Sequence, residues 1–487
     1  MGILYLNLCL GALSMLFSGI GFLFRFLPVF MLIYLIVPAK FRNFVLLAGS
    51  LIFYGVGEPY FVLLLVFSLL LNFCLNRYMF WEPRSPQQNR AKKRKRRKKI
   101  ALCASLVIDF GMLFVFKYWD FAAQTVNGLV GREITPILAL TLPLGISFYT
   151  FQMVSYQIDC YRDTTEKPVG LISFAAYVSM FPQLIAGPIV RYEEVADKMI
   201  FRKIGIRNLE NGLKLFTVGL GLKVLLANQI GTLWNTIMSA GAGNLHITVA
   251  WLGAAAYSFQ IYFDFWGYSV MAMGLGKMLG FRLPRNFDDP YVSRSISEFW
   301  RRWHITLGRW FREYVYIPMG GSRKGRFRTV CNLFVVWALT GLWHGADWNF
   351  VLWGLLFFVI LTVEKNTYGK KLEHTHVLGH IYTLLLIPIT WVVFAISDMG
   401  QLTAYLGNMF GFHRAAVLVG TQHLVRYVKE YWALLIACFV FITPFPAQMY
   451  RKYRDRWFSV VVLLLIFWFS VHEIMVGSNN PFLYFRF

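Results

Sequence analysis

The sequence predicts an all-α polytopic membrane protein, and three observations carry that prediction. Hydrophobic residues make up 57% of the 487 and charged residues 15%, a balance outside the range of soluble globular domains. Charge-free runs recur from one end of the chain to the other, long enough for buried or membrane-embedded helices. The formal charge of +24, from 48 basic and 24 acidic residues, collects in the polar connections between those runs. That is the positive-inside pattern of a membrane protein. A nucleic-acid-binding chain would gather its basic residues on one continuous surface, so no nucleic-acid partner is expected; the bilayer is.

Taken in order, residues 1–24 hold no charged side chain. A secretory signal needs Lys or Arg ahead of its apolar core, so this stretch is read as retained. The run FLPVFMLIYLIVPA after Arg25 leads to Lys40 and Arg42, placed inside; the next apolar pair leaves through Gly57 and Glu58 and returns at Arg77. Residues 82–99 follow, with ten Lys and Arg in RSPQQNRAKKRKRRKK. Pro, Gln and almost no apolar side chain predict a solvated cytoplasmic loop that touches anionic lipid. Later apolar segments lie near 100–116, 136–158, 169–190, 209–239, 247–280, 329–346, 350–363, 378–397, 430–447 and 457–471. Together they predict roughly ten to twelve embedded helices.

Residues 282–328 break the pattern, with eleven basic and four acidic residues (Asp288, Asp289, Glu298, Glu313). One central charge costs at least ~2.5 kcal/mol in a lipid-facing span. A solvated loop, in turn, has no use for Trp300, Trp303, Trp310, Phe311, Tyr314 and Tyr316. Short interfacial or re-entrant helices with aromatic faces and Arg heads reconcile the two. From Arg328 to His344 is about 24 Å as helix, and the return from Asn349 to Glu364 is similar, against ~30 Å of hydrocarbon. The turn HGADWN is therefore expected to stop inside the membrane, in a wet cavity or against protein partners.

The six cysteines show no CxxC spacing and mostly sit in apolar runs, which predicts inert buried thiols and no zinc site. His374, His376 and His380 match metal-ligand spacing only loosely, and His246, His413, His423 and His472 have no polar constellation near them. No metal is expected. His304 and His344 differ, since each follows a Trp beside the dense aromatic block. An imidazole at membrane depth is costly to charge, and its neutral form is a general base; a packing histidine bonded to a main-chain carbonyl is the structural alternative. Asp264 in IYFDFWGY predicts an inward polar contact, structural or chemical. GLGKMLG reads as close helix packing, and no Walker, Gly-x-Ser-x-Gly or Rossmann pattern occurs.

The stretches LPLGISFYTFQMVSYQIDCYR (142–162), FPQLIAGPIVRY (181–192), FQIYFDFWGYSVMAMGLGKMLGF (259–281), the block from Asn286 through RRWHI to 325, LTGLWHGADWNFVLWG (339–354) and the tail NPFLYFRF (480–487) resemble the membrane-bound O-acyltransferase family. The likeness is greatest to its bacterial branch of alginate O-acetyltransferase membrane subunits. It runs from about Met15 to the C-terminus and implies a single domain over 15–487, with 282–365 as its catalytic region. Residues 1–14 are then an N-terminal extension, and Met15 is the expected natural initiator. The resemblance implies a bundle of embedded and re-entrant helices around a central funnel. It also implies a cytoplasmic acyl thioester donor, acetyl-CoA, with no permanently bound cofactor, and an acceptor hydroxyl beyond the outer face.

The family's essential histidine lands on His344 and a second contributing histidine on His304. Trp303, Trp343 and Asn286 fall in the same motifs as supporting residues, and Arg301, Arg302, Arg309 and Arg312 are candidates to grip the donor's phosphates or lipid headgroups. Trp266 stands where relatives commonly carry a small residue and Val270 where many carry a polar one; a bulky indole there narrows the cavity or alters the acyl group accepted. The expected activity is O-acetylation of a cell-surface or exported polysaccharide from the bacterial inner membrane. The acetyl group would pass directly to the glycan or through a secreted or membrane-anchored SGNH-type partner. D-alanyl transfer to teichoic acid from a carrier-protein thioester is the alternative within the class. A glycan or acyl transporter is the alternative outside it, for which internal repeats or paired broken helices would be expected; inspection finds no clear repeat.

Overall fold

The computed structural model describes residues 16–81, 90–164, 169–412, 418–477 and 483. The described residues are helical apart from turns, extended connections and one isolated bridge between Leu245 and Val419. They form two compact units: the described residues of Met1–Phe216 with Met271–Pro284, and those of Thr217–Val270 with Arg285–Phe487.

In the first unit, helices Leu27–Ile36 and Arg42–Gly57 close on an aromatic cluster in which Phe17, Phe22, Phe26, Phe30 and Phe53 gather around Phe181. Ring centroids there lie 5.2 to 6.4 Å apart. Edge and tilted geometries of this kind add to area burial. Helices Phe61–Phe80, Arg90–Leu113 and Ile146–Tyr161 carry a buried polar ladder instead. Asn72 donates to Asp109 at 2.8 Å and accepts from Ser105 at 3.0 Å and from Gln157 at 3.2 Å. In apolar surroundings such groups must satisfy one another.

Three expectations are corrected here. The Lys/Arg-rich stretch is not a loop from Arg90 onward, where it forms the first turns of helix Arg90–Leu113; residues 82–89 lie outside the described residues. Lys and Arg are good helix formers, and Lys98 turns inward, where it bonds Asp163 and the Cys160 carbonyl. The segment 136–158 is irregular, with Ala139 at φ 50° and a turn at Leu144 and Gly145, up to its helix start at Ile146. Not all thiols are buried: Cys160 and Cys438 are, but Cys74 and Cys103 are exposed on apolar helices, where the surrounding side chains suit lipid.

In the second unit, helix Gly325–His344 packs on Trp348–Asn366 so closely that their backbones nearly touch. A Cβ on Gly341 would stand 2.4 Å from the Phe350 carbonyl oxygen, and one on Gly354 2.5 Å from that of Trp337. The first of these helices takes in Arg326 and Arg328 and runs 20 residues, about 30 Å, longer than the count from Arg328 suggests. Length alone therefore does not stop the following turn inside the hydrocarbon. The basic aromatic block forms the short helices expected of it, Ile296–Arg302 and Ile305–Phe311, followed by a π turn at Arg312–Tyr316.

Among the described residues six helices are long and apolar enough to cross a membrane: Phe61–Phe80, Ala91–Val130, Ile206–Ser239, Trp348–Asn366, His376–Ala395 and Trp457–Val476. A seventh arises if Thr421–Phe441 and Phe445–Tyr453, bent by 75°, count as one span. Against the expected ten to twelve, some segments are shorter than a span, as Arg42–Gly57 and Ile146–Tyr161 are at 16 residues each, and others are broken. The stretch 169–190, for instance, splits at Met180 into Leu171–Ser179 and Phe181–Leu184. Helix Trp457–Val476 exposes Leu464, Leu465, Trp468 and Phe469, a broad apolar face suited to lipid. The protein is an all-helical, multi-pass membrane protein.

Candidate active site

His304 is built into the second unit by its backbone as much as by its ring. It caps helix Ile305–Phe311 in the left-handed region (φ 44°, ψ 52°), which costs a non-glycine residue of order 1 to 3 kcal/mol. Two main-chain bonds hold it there. Asp288 N–H donates to the Arg302 carbonyl and Ile305 N–H to the Asn286 carbonyl, both at 3.0 Å, so the segment bearing Asn286 runs beside the turn bearing His304.

The Asn286 side chain then decides the imidazole's tautomer. Its Oδ1 receives the main-chain N–H of Thr306 at 3.3 Å and the Thr306 hydroxyl at 2.9 Å. A main-chain N–H can only donate, so this atom is the amide oxygen. His304 Nδ1, 3.0 Å from the same oxygen, must carry the proton. The neutral ring therefore holds its lone pair on Nε2. Burial pushes the imidazole pKa down to about 3, so the ring stays neutral at physiological pH.

Two carboxylates stabilise this region from behind. Glu364, buried on helix Trp348–Asn366, accepts the N–H groups of Ile296 and Ser297 at 2.8 Å each and so caps helix Ile296–Arg302, which carries Trp300 and is followed by Trp303. Negative charge at a helix N-terminus is favourable. Glu298 accepts from Arg294 N–H at 2.9 Å and from Arg302 at 2.8 Å. Burial raises its pKa, but these bonds outweigh that and hold it below the usual carboxylate range.

His344 ends helix Gly325–His344 and is buried. The HGADWN turn is secured by Asp347, whose carboxylate caps the next helix through Trp348 N–H at 2.7 Å, and by Asn349, which donates to the Phe394 carbonyl at 2.9 Å. Trp343 links the two histidines: its ring lies 5.9 Å from that of His304 and 5.0 Å from that of His344. Trp353 and Phe394 meet His344 edge-on at 5.1 and 5.2 Å, and Phe265 meets His304 at 4.7 Å. Trp303 joins through Trp391 at 4.8 Å, which lies 6.1 Å from Trp353.

The remaining sequence candidates divide. Asp264 is buried, with one oxygen 2.6 Å from Lys223 Nζ and the other accepting Leu483 N–H at 2.8 Å. Arg302 is engaged by Glu298 and the Asp288 carbonyl. Arg301 and Arg312 are exposed and Arg309 half-buried, so the four guanidinium groups do not gather with the histidines as one buried cluster. Among the described residues no group of three or more His, Cys, Asp or Glu could hold a metal ion; His413 lies outside them.

Sequence reasoning missed Glu364, Tyr262 and Trp353. Tyr262 Oη and Trp353 Nε1 are buried with no hydrogen-bond partner among the described residues. Tyr262 stacks on Trp266 at 5.1 Å and lies 5.9 Å from Trp303, and Trp353 abuts His344. Both stand in apolar runs that read as core, and Glu364 as the end of a span. Only the positions of their polar atoms set them apart.

Residues 162–397, the segment that holds both histidines, match the membrane-bound O-acyltransferase family. A probable alginate O-acetylase of Pseudomonas putida is 34% identical over 97% of this chain and the whole of its own length. A peptidoglycan O-acetyltransferase of Helicobacter pylori is 30% identical over 97% of this chain and 98% of its own. A teichoic acid D-alanyltransferase of Streptococcus thermophilus is also 30% identical, but over 47% of this chain and 58% of its own. The chain belongs to the membrane-bound O-acyltransferase family.

Proposed function

We propose that the protein is a membrane O-acetyltransferase that takes an acetyl group from a cytoplasmic thioester donor, acetyl-CoA, and passes it across the bacterial inner membrane for O-acetylation of a cell-surface or exported polysaccharide. The observation that carries this reading is the pair of buried histidines in contact with one indole, Trp343, inside an aromatic shell. Near-full-length similarity to proteins named for O-acetylation supports acetyl over D-alanyl transfer, since the D-alanyltransferase matches about half the chain.

The chemistry follows from the residues. Neutral His344 accepts the proton of the acceptor hydroxyl as that oxygen attacks the thioester carbonyl, a step worth about 100-fold or more. The tetrahedral oxyanion needs donors aimed at it in a dry site. Trp353 Nε1 is such a donor beside His344, and the indoles of Trp343 and Trp303 are further candidates. Collapse breaks the carbon–sulfur bond, and the leaving thiolate takes the proton back from His344, which restores the neutral imidazole. Enclosure by aromatic rings keeps water from hydrolysing the thioester. The acceptor is either the glycan itself or an SGNH-type partner that carries the acetyl group onward.

Membranes that contain His344→Ala, inserted at the wild-type level, are expected to incorporate radiolabel from acetyl-CoA into envelope glycan at least ~100-fold more slowly. Wild-type incorporation by that variant would remove His344 from the chemistry. Label delivered from a D-alanyl carrier protein and not from acetyl-CoA would replace the acetyl reading with the D-alanyl one.

A further inference from the structure

A cavity of about 360 Å³ opens in the first unit, away from both histidines in sequence, where the end of helix Tyr192–Ile200, the start of Ile206–Gly221 and the stop of Ile247–Met278 converge. Five cationic side chains line it: Lys198, Lys203, Arg207, Lys277 and Arg282. No carboxylate does so among the described residues. The five acids on these helices all lie outside the lining: Glu193 pairs with Arg191 at 2.8 Å, Glu194 accepts Arg191 N–H at 2.9 Å, Asp197 is exposed, Glu210 pairs with Lys214 at 2.6 Å and Asp264 with Lys223 at 2.6 Å. A concavity lined by one sign of charge focuses its field and concentrates the opposite ion. Asn208 and Asn211 add neutral polar groups to the rim.

The walls are held from beneath by a buried guanidinium. Arg202 is 5% exposed. Its Nη1 donates to the Lys198 carbonyl at 3.0 Å and to Asn43 Oδ1 at 2.6 Å, and its Nε to the Tyr34 hydroxyl at 2.7 Å. Tyr34 in turn donates to the Leu279 carbonyl at 2.9 Å, and the Arg202 guanidinium lies 4.7 Å from the centre of the Phe281 ring. Both walls, at Lys198 and at Leu279–Phe281, are therefore tied to one side chain. Its Nη2 finds no acceptor among the described residues, which adds buried positive charge behind the lining. The third wall is fixed by contact: a Cβ on Gly212 would stand 2.7 Å from the Gly274 carbonyl oxygen. Helix Ile247–Met278 ends through Gly280 at φ 87°, where Phe281 N–H returns to the Gly276 carbonyl at 2.8 Å, a left-handed stop that suits glycine.

Lys203, Arg207 and Arg282 share a lining that holds no carboxylate among the described residues, and an anion there offsets the positive charge they bring together. We propose that this cavity binds the phosphate groups of an anionic ligand, as a phosphomonoester, diphosphate or phosphodiester, with Lys203, Arg207 and Arg282 as the principal contacts. Arg and Lys grip phosphate oxygens through charge-assisted hydrogen bonds. The same chemistry is offered by an anionic phospholipid headgroup and by the phosphates of a soluble molecule. The proposal stands whether or not the chain acylates a glycan.

Full-length protein in neutral detergent is titrated calorimetrically with inorganic pyrophosphate and, separately, with dioctanoyl phosphatidylglycerol. The double variant Lys203→Gln, Arg207→Gln is expected to bind at least one of them about tenfold more weakly. A control that removes two exposed cations from another helix, Lys92→Gln with Lys93→Gln, should stay within about twofold. Loss of pyrophosphate affinity identifies a soluble phosphate ligand, and loss of lipid affinity identifies a headgroup. Arg282→Gln, at an exposed position, repeats the measurement should the double variant melt early. If neither ligand binds the wild-type protein, if both cavity variants bind like wild type, or if the control loses as much, the cavity is not a phosphate site.

Discussion

Lys223 and Asp264 face each other across 2.6 Å with side chains 1% and 3% exposed, and the main-chain N–H of Leu483 takes the second carboxylate oxygen. The pair ties the helix that carries Phe265, which contacts His304, to a residue near the C-terminus. Breaking a buried pair leaves one charge uncompensated, which typically costs 3 to 5 kcal/mol. Lys223→Met is therefore expected to be destabilised by about that much, and Lys223→Met with Asp264→Leu by clearly less. Thermal melts in detergent decide it, and equal losses in the single and double variants would mean that the pair is not a coupled unit.

Asn286 holds His304 in one tautomer. Replacing it with Ala frees Nδ1 to lose the proton to Nε2, and loss of such supporting bonds typically costs roughly 10- to 100-fold in activity. Asp at 286 preserves the acceptor and should recover most of the rate. If the Ala variant turns over like wild type at an unchanged KM, the tautomer has no bearing on the reaction.

Trp353→Phe keeps the ring beside His344 and removes only its N–H. Deleting one oxyanion donor costs about 100-fold or more in kcat and should leave KM nearly unchanged, because the interaction strengthens only in the transition state. A change confined to KM would make Trp353 a packing residue.

The Gly341–Gly354 contact leaves no room for side chains. Gly341→Val would push the Gly325–His344 helix off its neighbour and displace His344. Overpacking of this kind costs 1 to 3 kcal/mol or more, so a lower melting temperature should accompany the loss of acyl transfer. Gly308, where an added Cβ meets nothing within 4 Å, should accept Ala with unchanged melting.

His304 also makes stability depend on pH. Its folded pKa of about 3 lies below the ordinary 6.5, so below pH 6.5 the unfolded chain takes up a proton that the folded chain refuses. Its share of stability is complete above pH 6.5 and falls by about 1.4 kcal/mol per pH unit as pH drops towards 3. Between pH 6.5 and 5 the wild-type protein should lose about 2 kcal/mol more than His304→Gln. Parallel melting curves for the two proteins would show that His304 titrates normally.

Much of this protein was legible in the linear order of its residues. Apolar runs and basic connections mark a multi-pass membrane protein because lipid admits only side chains that need no water. The Trp- and Arg-rich block had to be short helices, since neither lipid nor open solvent suits it alone, and His304 and His344 stood out because each follows a Trp beside that block. What the chain order could not disclose were relations between distant residues. Lys98 looked like one cation among ten until Asp163 and the Cys160 carbonyl reached it. Glu364 looked like the end of a span, and only folding sets it on the N-terminus of helix Ile296–Arg302. The contact of both histidines with Trp343, and the proton that Asn286 keeps on Nδ1, belong to tertiary structure alone. Hydrophobic pattern is written one residue at a time, whereas hydrogen-bond direction, backbone approach and the convergence of like charges exist only between segments that the fold brings together.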